Sequence, residues 1–454
     1  MTPQLLNKYN TPVPRYTSYP PANYFAPYTP DDYLAAVDAS NRADDNHLSF
    51  YIHIPFCPRL CHYCGCNSYP MPSLNVVEQY VNALHREIGL ILPHLDPTRR
   101  IAQIHYGGGT PSAIPLHHLR ALNERLLSAF DTIDNPEIAI ECHPGYLTAN
   151  DWRELTRCGF TRFSIGIQDF NPAVLRVVNR HPSLLPAEAI FAILRTAGAR
   201  INLDLLYGLP LQTPHSFAAT VEQAIALQPD RLVTFSYAHV PSFNPRQRIL
   251  EQCGLPAGEE KSRMFDSAEV LLRTADYRRV GMDHFVRPDD ELYQALLDGR
   301  LHRNFQGYCT RRTTAQVYAF GVTGISQLSG AYAQNTNDIP EYLDTIADGR
   351  LAIRRGYALS PAEQFVREVI ESLMCNYRID WDDLAARLGV TPALLKQATA
   401  YDETRLAELA ADGLITTDEH RLCVTPEGTP FVRNVAAALD PLMAHTDKTF
   451  SKPI

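Results

Sequence analysis

From about residue 47 onward, apolar β-rich runs alternate with amphipathic stretches. The strand candidates are HLSFYIHIP, IAQIHYGG, EIAIECHP, RFSIGIQDF, INLDLLYGLP and RLVTFSYAHV. Between them, NVVEQYVNALHREIGLIL, HHLRALNERLLSAF and SFAATVEQAIALQ repeat apolar residues at helical spacing. Repeated β–α units predict an α/β fold with a parallel sheet and helical crossovers. Six units predict an open, partial (β/α)6 TIM-type barrel rather than a closed one of eight. In such barrels the reactive groups gather at the C-terminal ends of the strands.

The two ends of the chain read differently. Residues 1–46 form an N-terminal arm whose stretch from Pro12 to Pro27 is too rich in proline for a helix, and the reading is a segment wrapped over the surface. Residues 47–355 hold the partial barrel and an extension toward the substrate site. Residues 356–454 form a mostly helical C-terminal domain with a short hairpin, LITTDEHRLCVTPEG, in a winged-helix-like order. It lacks a basic recognition helix, so a lid or packing role is expected. No repeat of solenoid period is visible.

Composition narrows the classes. No apolar run approaches the ~20 residues of a membrane span, and the N-terminus has no apolar signal region. A net charge of −9 without a long basic run gives no nucleic-acid footprint. Ten cysteines, four of them in one short loop, fit metal binding in a reducing cytoplasm better than a disulfide framework.

That loop reads YIHIPFCPRLCHYCGCN, with Cys57, Cys61 and Cys64 spaced Cys-x3-Cys-x2-Cys and Cys66 two residues on. Thiolates are the ligands of iron–sulfur clusters. Three on one loop can hold three corners of a cubane and leave the fourth iron open, which separates a reactive metal site from a closed one. Zinc would need a fourth ligand, and Cys66 or His62 could supply it. With Tyr63 before the last cysteine, the loop resembles the radical S-adenosylmethionine (SAM) motif CxxxCxxC.

Other groups fall at predicted strand ends. Gly107-Gly108-Gly109-Thr110-Pro111 follows the second strand, where glycines allow a ligand close to the backbone. Read with the cysteine loop, it suits the amino-acid end of SAM, with Glu141 as a partner for the amine; a plain strand-cap carboxylate is the alternative. Asp204 lies in an otherwise apolar strand and needs donors, from a ribose diol, from Arg180 or from a structural ion pair. Gln168 and Arg180 flank a strand–loop–helix segment, and arginine suits carboxylate recognition. His53 reads as a satisfied core histidine, His284 and His302 are left open, and the isolated cysteines read as small buried hydrophobes.

Long words then extend the likeness over nearly the whole chain: RYTSYP (Arg15 to Pro20), GGGTP, GIQDFN, NLDLLYGLP, YAHVP (Tyr237 to Pro241), GMDHFVRPDDEL, HRNFQGY and YAQN (Tyr332 to Asn335). The chain resembles the oxygen-independent coproporphyrinogen III oxidases (dehydrogenases), radical SAM enzymes of heme biosynthesis. The resemblance implies a [4Fe-4S] cluster on Cys57, Cys61 and Cys64. It implies that Cys66 is needed for function without being a ligand, and it places Tyr51 beside it in the catalytic machinery. It implies that Tyr51, Gly108, Gly109, Thr110, Glu141, Gln168, Arg180, Asp204 and Ala238 serve SAM, with a second SAM near Gln306 and Ile325. The implied reaction uses a 5′-deoxyadenosyl radical to convert coproporphyrinogen III to protoporphyrinogen IX. An electron donor such as flavodoxin or ferredoxin is implied, as are a monomeric state and no nucleic-acid or membrane partner. Arg15, Arg303, Arg311 and Arg312 are candidates for the substrate's propionates. The rivals are a heme chaperone or carrier of the same superfamily, an enzyme of another tetrapyrrole, and a zinc-stabilised DNA-binding protein.

Two stretches depart from the family pattern. An acidic residue is missing after the third strand, where the chain reads Glu141-Cys142-His143-Pro144. The run from Cys309 to Gly321 carries an extra residue, with Ala319 in place of a glycine and Gly324 in place of an alanine. The second departure bears on the second SAM site.

Overall fold

A computed structural model describes residues 3–42, 46–310 and 316–452. Arg311 and Arg312 lie outside the described residues. Six parallel strands follow one another across the centre of the sheet: β1 His47–Ile54, β2 Arg100–Gly108, β3 Thr132–Cys142, β4 Arg162–Gln168, β5 Arg200–Tyr207 and β6 Arg231–Ser236. A seventh, β7 Val317–Phe320, runs parallel to β1 on its outer side. Beyond it the sheet turns antiparallel through Ile325–Gln327, Ala331–Asn335 and Ile353–Ala358 to the short strand Ala26–Pro27 of the N-terminal arm. On the far side His284–Val286 and Arg278–Val280 add antiparallel to β6. The partial barrel is therefore the middle of a 13-stranded sheet that does not close on itself.

Strand period explains which residues meet. Successive side chains point to opposite faces. Leu48, Phe50, Ile52 and Ile54 of β1 are buried in the main core, as are Ile104, Tyr106, Ile138, Ile140, Phe163, Ile165, Ile201 and Leu203 of the next four strands. Helices such as Leu74–Ile91 cover that face, burying Val77, Tyr80, Val81, Leu84 and Ile88. Most of the intervening positions are polar and face a shared cavity: Gln103 and His105, Glu137 and Glu141, Arg162, Ser164 and Gln168, Asn202 and Asp204, and Arg231, with Ala139, Val233 and Phe235 among them. A register slip of one residue would put the charges in the core.

A second core lies in the C-terminal region, among the helices Pro361–Asn376, Trp381–Leu388, Pro392–Ala398, Glu403–Ala411 and Val432–Ala438. The strands Arg378–Asp380, Arg421–Val424 and Ile415–Thr417 form a small sheet beside them. The N-terminal arm belongs to this core. Tyr9, Val13, Tyr16 and Tyr19 are buried in it. Tyr16 Oη donates to Asp440 Oδ2 at 2.8 Å, and Arg433 Nε donates to the Pro14 carbonyl at 3.0 Å. The expected surface-wrapping segment is thus an inserted one. Its buried residues follow no single period, which is why their depth escapes a pattern search. Among the described residues no helix is long and apolar enough to cross a membrane.

Candidate active site

The cavity inside the sheet has a volume of about 500 Å3. Its rim lies at the C-terminal strand ends, where the cysteine loop leaves β1. The next strand end holds the loop's root. Gly109 N–H donates to Ile54 O at 2.8 Å and Thr110 N–H to Phe56 O at 2.9 Å. A Cβ on Gly109 would come within 2.7 Å of the Pro55 carbonyl, so only glycine permits this approach. Further round, His62 N–H donates to Val178 O at 3.0 Å and Asn179 Nδ2 to Leu60 O at 2.9 Å. Asn244 donates to the Cys64 carbonyl, and buried Gln247 donates to Tyr63 O at 3.1 Å. Asn244 and Gln247 are loop-holding residues that sequence reasoning missed. They lie far along the chain, and the only signal was the word YAHVP just before them.

Cys57 and Cys61 are buried, Cys64 is half-buried, and Cys66 is open toward the cavity. Donors reach two of the sulfurs: Thr110 Oγ1 lies 3.4 Å from Cys57 Sγ, and Arg180 Nη1 3.5 Å from Cys61 Sγ. Burial pushes the Cys57 thiol up to about 11, while the hydrogen bond with Cys66 draws Cys64 down to about 6. Among the described residues no three His, Cys, Asp or Glu side chains close round one point as a single ion needs. Three thiols spread along one loop, with hydrogen-bond donors and a buried guanidinium beside them, fit a cluster in which each sulfur meets a different iron.

Beside the loop, Glu141 accepts from Gly108 N–H at 3.3 Å and meets His105 Nε2 at 3.2 Å. Tyr51 stacks on His105 at 5.9 Å. Both His53 ring nitrogens are occupied, by Tyr51 Oη and by Asn67 O, each at 3.1 Å, so this is the satisfied histidine the sequence suggested. Gln168 ends β4 with φ 69°, a left-handed conformation uncommon outside glycine. Arg180 is buried and donates to Gly166 O as well as to Cys61. Asp204 is not its partner. That carboxylate accepts from Ser164 Oγ and Asn202 Nδ2, each at 2.8 Å, and burial pushes it up to about 6. Its hydrogen-bond partners are neutral, so the structural ion pair considered from the sequence does not form.

Across the cavity lie Ala238 and Gln306, the latter in the hairpin that joins Leu301–Asn304 to Gly307–Thr310. Ile325 is not in the cavity. It packs with Phe25, Phe305 and Tyr332 behind that hairpin. Arg15 pairs with Asp283 at 3.3 Å, and Arg303 lies over the Tyr308 ring at 5.0 Å and donates to Arg15 O. Neither arginine lines the cavity; His284 does, with Nδ1 2.7 Å from Asp283 Oδ1. Burial works against the Asp283 charge, but His284, Arg15 and Arg303 together hold its carboxyl well below the usual range. His302 is buried against Glu371.

The floor is a closed ionic network. Arg162 pairs with Glu137, Arg231 with Asp290 at 2.8 Å, and Glu291 reaches Arg231 at 3.3 Å and Arg162 at 3.6 Å. Gln103 donates to Glu137 at 2.8 Å. Burial disfavours the Glu137 charge, but Arg162 and Arg231 outweigh it and hold the carboxyl down at about 2.

The departure at Ala319 and Gly324 has a steric reason. A Cβ on Gly324 would lie 3.2 Å from the Ala319 methyl and 3.1 Å from Gly321 O. One methyl fits there. This chain carries it on residue 319 and leaves 324 bare.

The parallel half-barrel with a three-thiol loop at its C-terminal rim defines a radical SAM protein, and the Radical SAM superfamily matches residues 51–224. The HemN C-terminal domain matches residues 359–431. Oxygen-independent coproporphyrinogen III oxidase of Escherichia coli is 39% identical over 442 residues, covering 96% of this chain and 94% of that one. The Synechocystis protein of the same name is 36% identical over 99% of this chain and 97% of its own. The solved structure of the Escherichia coli coproporphyrinogen III oxidase, described as a radical SAM enzyme, superposes with a TM-score of 0.86 at 38% identity, over 94% of this chain and 97% of that one. The chain belongs to the oxygen-independent coproporphyrinogen III oxidase family.

Proposed function

We propose that this chain carries out the oxygen-independent oxidative decarboxylation of coproporphyrinogen III to protoporphyrinogen IX in heme biosynthesis. The observation that supports it most is the rim: three thiols, a glycine turn and a carboxylate gathered over a deep cavity, in a chain of this family. Cys57, Cys61 and Cys64 would hold a [4Fe-4S] cluster with SAM on its open iron, and reductive cleavage of SAM supplies a carbon radical able to take a hydrogen atom from a propionate side chain.

The protein's own work is positioning and exclusion of water. Glu141, fixed by Gly108 and His105, receives an ammonium group. Gly109 and Thr110 keep the turn close beneath the loop. Arg180 and Gln168 take polar groups of the same ligand, and Asp204 takes hydroxyls. Tyr51 closes that side, and Cys66, open to the cavity, faces the reacting space. Ala238 and Gln306 border room for a second SAM, with Ile325 backing the hairpin through Phe305. His284, its Nδ1 held by Asp283, offers Nε2 to a propionate. A flavodoxin- or ferredoxin-type donor supplies electrons, and the chain works as a monomer in the cytoplasm.

The test is an anaerobic assay of reconstituted protein with dithionite, SAM, coproporphyrinogen III and an electron acceptor from cell extract. Protoporphyrin and 5′-deoxyadenosine are expected together. 5′-Deoxyadenosine without decarboxylation would move the activity to another substrate. Neither product from a fully loaded cluster would favour heme carriage.

A further inference from the structure

Three segments enclose the outer side of the cysteine loop: the loop itself (57–73), the stretch 171–186, and the stretch 236–250. Their contacts are direct: Asn179 to the Leu60 carbonyl, His62 N–H to Val178, Asn244 to the Cys64 carbonyl and Gln247 to Tyr63. They share a small core of Val174, Val178, Tyr237 and Leu250, with Tyr63 packed on it. In a protein of net charge −9, these three segments contain no Asp, no Glu and no Lys, but five arginines, Arg59, Arg176, Arg180, Arg246 and Arg248; Glu251, next after the third segment, is paired with its His239 at 3.0 Å. Arg59, Arg176 and Arg248 are exposed. Among them stands Phe243, 81% exposed at a turn closed by its own N–H to Val240 O, with Val240 and Ile249 also exposed.

Arginine and aromatic residues in, lysine and acids out, is the composition of protein interfaces. Arginines and aromatics are also the residues that carry binding energy there. Arg59 and Arg180 line the cavity, but Phe243, Arg176, Arg246 and Arg248 do not, so this outer part of the patch is not the substrate's entrance. The residue after Phe243 touches the Cys64 carbonyl, so a partner seated on Phe243 is one layer of protein from the thiols.

Resting on the reading of the loop as a cluster site, we infer that this face docks an acidic one-electron carrier protein, whose negative rim meets the arginines while its redox group faces the cysteine loop. Opposite charges steer such encounters and give them a strong salt dependence.

The experiment compares the loaded wild type with R176E/R248E and, separately, F243S, since these residues contact neither the cavity nor a cysteine. Anaerobic bleaching of the cluster by reduced flavodoxin is followed against ionic strength, with dithionite as the small reductant. Binding of the same flavodoxin is titrated in parallel. The double reversal is expected to slow flavodoxin-driven reduction by about tenfold or more at low salt and flatten its salt dependence. F243S is expected to weaken binding with the salt slope intact. Dithionite-driven reduction is unchanged in both. Equal flavodoxin rates and affinities in wild type and double reversal would overturn the inference. So would a raised KM for coproporphyrinogen under dithionite, which would make the patch a substrate surface. Neither bleaching nor binding needs the porphyrinogen, so failure of the proposed reaction is read separately.

Discussion

The two ends of the cavity are built from the same inward strand positions and finished in opposite ways. At the floor, Glu137, Asp290 and Glu291 are each paired with Arg162 or Arg231, so every charged side chain there has an opposite charge within the protein. At the rim, Glu141 has only His105 and one backbone N–H, Asp204 has only neutral donors, and the thiols have a hydroxyl and a guanidinium beside them. A buried charge needs partners. The floor carries its own and is structural; at the rim the Glu141 side chain stays 42% exposed and Asp204 is buried among neutral donors, which suits both to a cationic, hydroxyl-bearing ligand.

The largest effect expected on this contrast is at the rim. Cys61→Ser should abolish the cluster absorbance and all activity while leaving the fold intact by circular dichroism. A fully iron-loaded, active variant would break the comparison. The floor should respond in the opposite sense. Glu137→Ala leaves Arg162 with Glu291 at 3.6 Å as its counter-charge while Arg231 keeps Asp290, and breaking such a buried pair costs about 3–5 kcal/mol. Denaturant melts should show that loss, with cluster content retained in the folded fraction. Because the folded Glu137 carboxyl sits at about 2, below its ordinary 4.5, its contribution is present above 4.5 and disappears as the pH falls toward 2. The wild-type advantage over the alanine variant should shrink across that window.

A smaller effect concerns the exchanged methyl. Gly324→Ala alone overfills the space beside Ala319 and should cost about 1–3 kcal/mol. Adding Ala319→Gly should restore the part owed to the methyl contact, with the Gly321 and Phe320 carbonyls still at 3.1 and 3.3 Å, read as the coupling of a double-mutant cycle. The smallest effect separates function from stability. The Asp204 carboxyl lies at about 6 instead of 3.8, so its ionised form costs stability that sets in as the pH rises through that interval. Asp204→Asn should raise Tm slightly at neutral pH, lose that gain below the interval, and weaken SAM binding by calorimetry. Tighter SAM binding in the variant would contradict the role given to Asp204.

Much of the rim was legible because its signals are local. Cysteine spacing, GGGTP, and Glu141 and Gln168 at the ends of β-rich runs can each be read within one segment, and period 2 along a strand says which residues share a face. The floor was not legible. Arg162 and Arg231 stand at strand beginnings and Glu137 where the apolar run of β3 begins, so all three look like ordinary polar flanks, and only sheet order makes them neighbours. The same holds for the contact of Arg180 with Cys61, which joins residues far apart in the chain. Tyr9, Val13, Tyr16 and Tyr19 lie in a proline-broken arm, and their core lies more than three hundred residues away in the chain. The antiparallel extension beyond β7 was missed for a related reason. Short strands of two to six residues carry too little periodicity to stand out.

The central claim is that the rim, and not a closed metal knuckle, is where chemistry happens. Its most direct test is iron and sulfide analysis of the anaerobically reconstituted chain, followed by electron paramagnetic resonance of the dithionite-reduced protein before and after SAM is added. One four-iron cluster per chain is expected, with a signal whose shape changes when SAM occupies the open iron. A colourless zinc protein, or a cluster whose signal is indifferent to SAM, would contradict it.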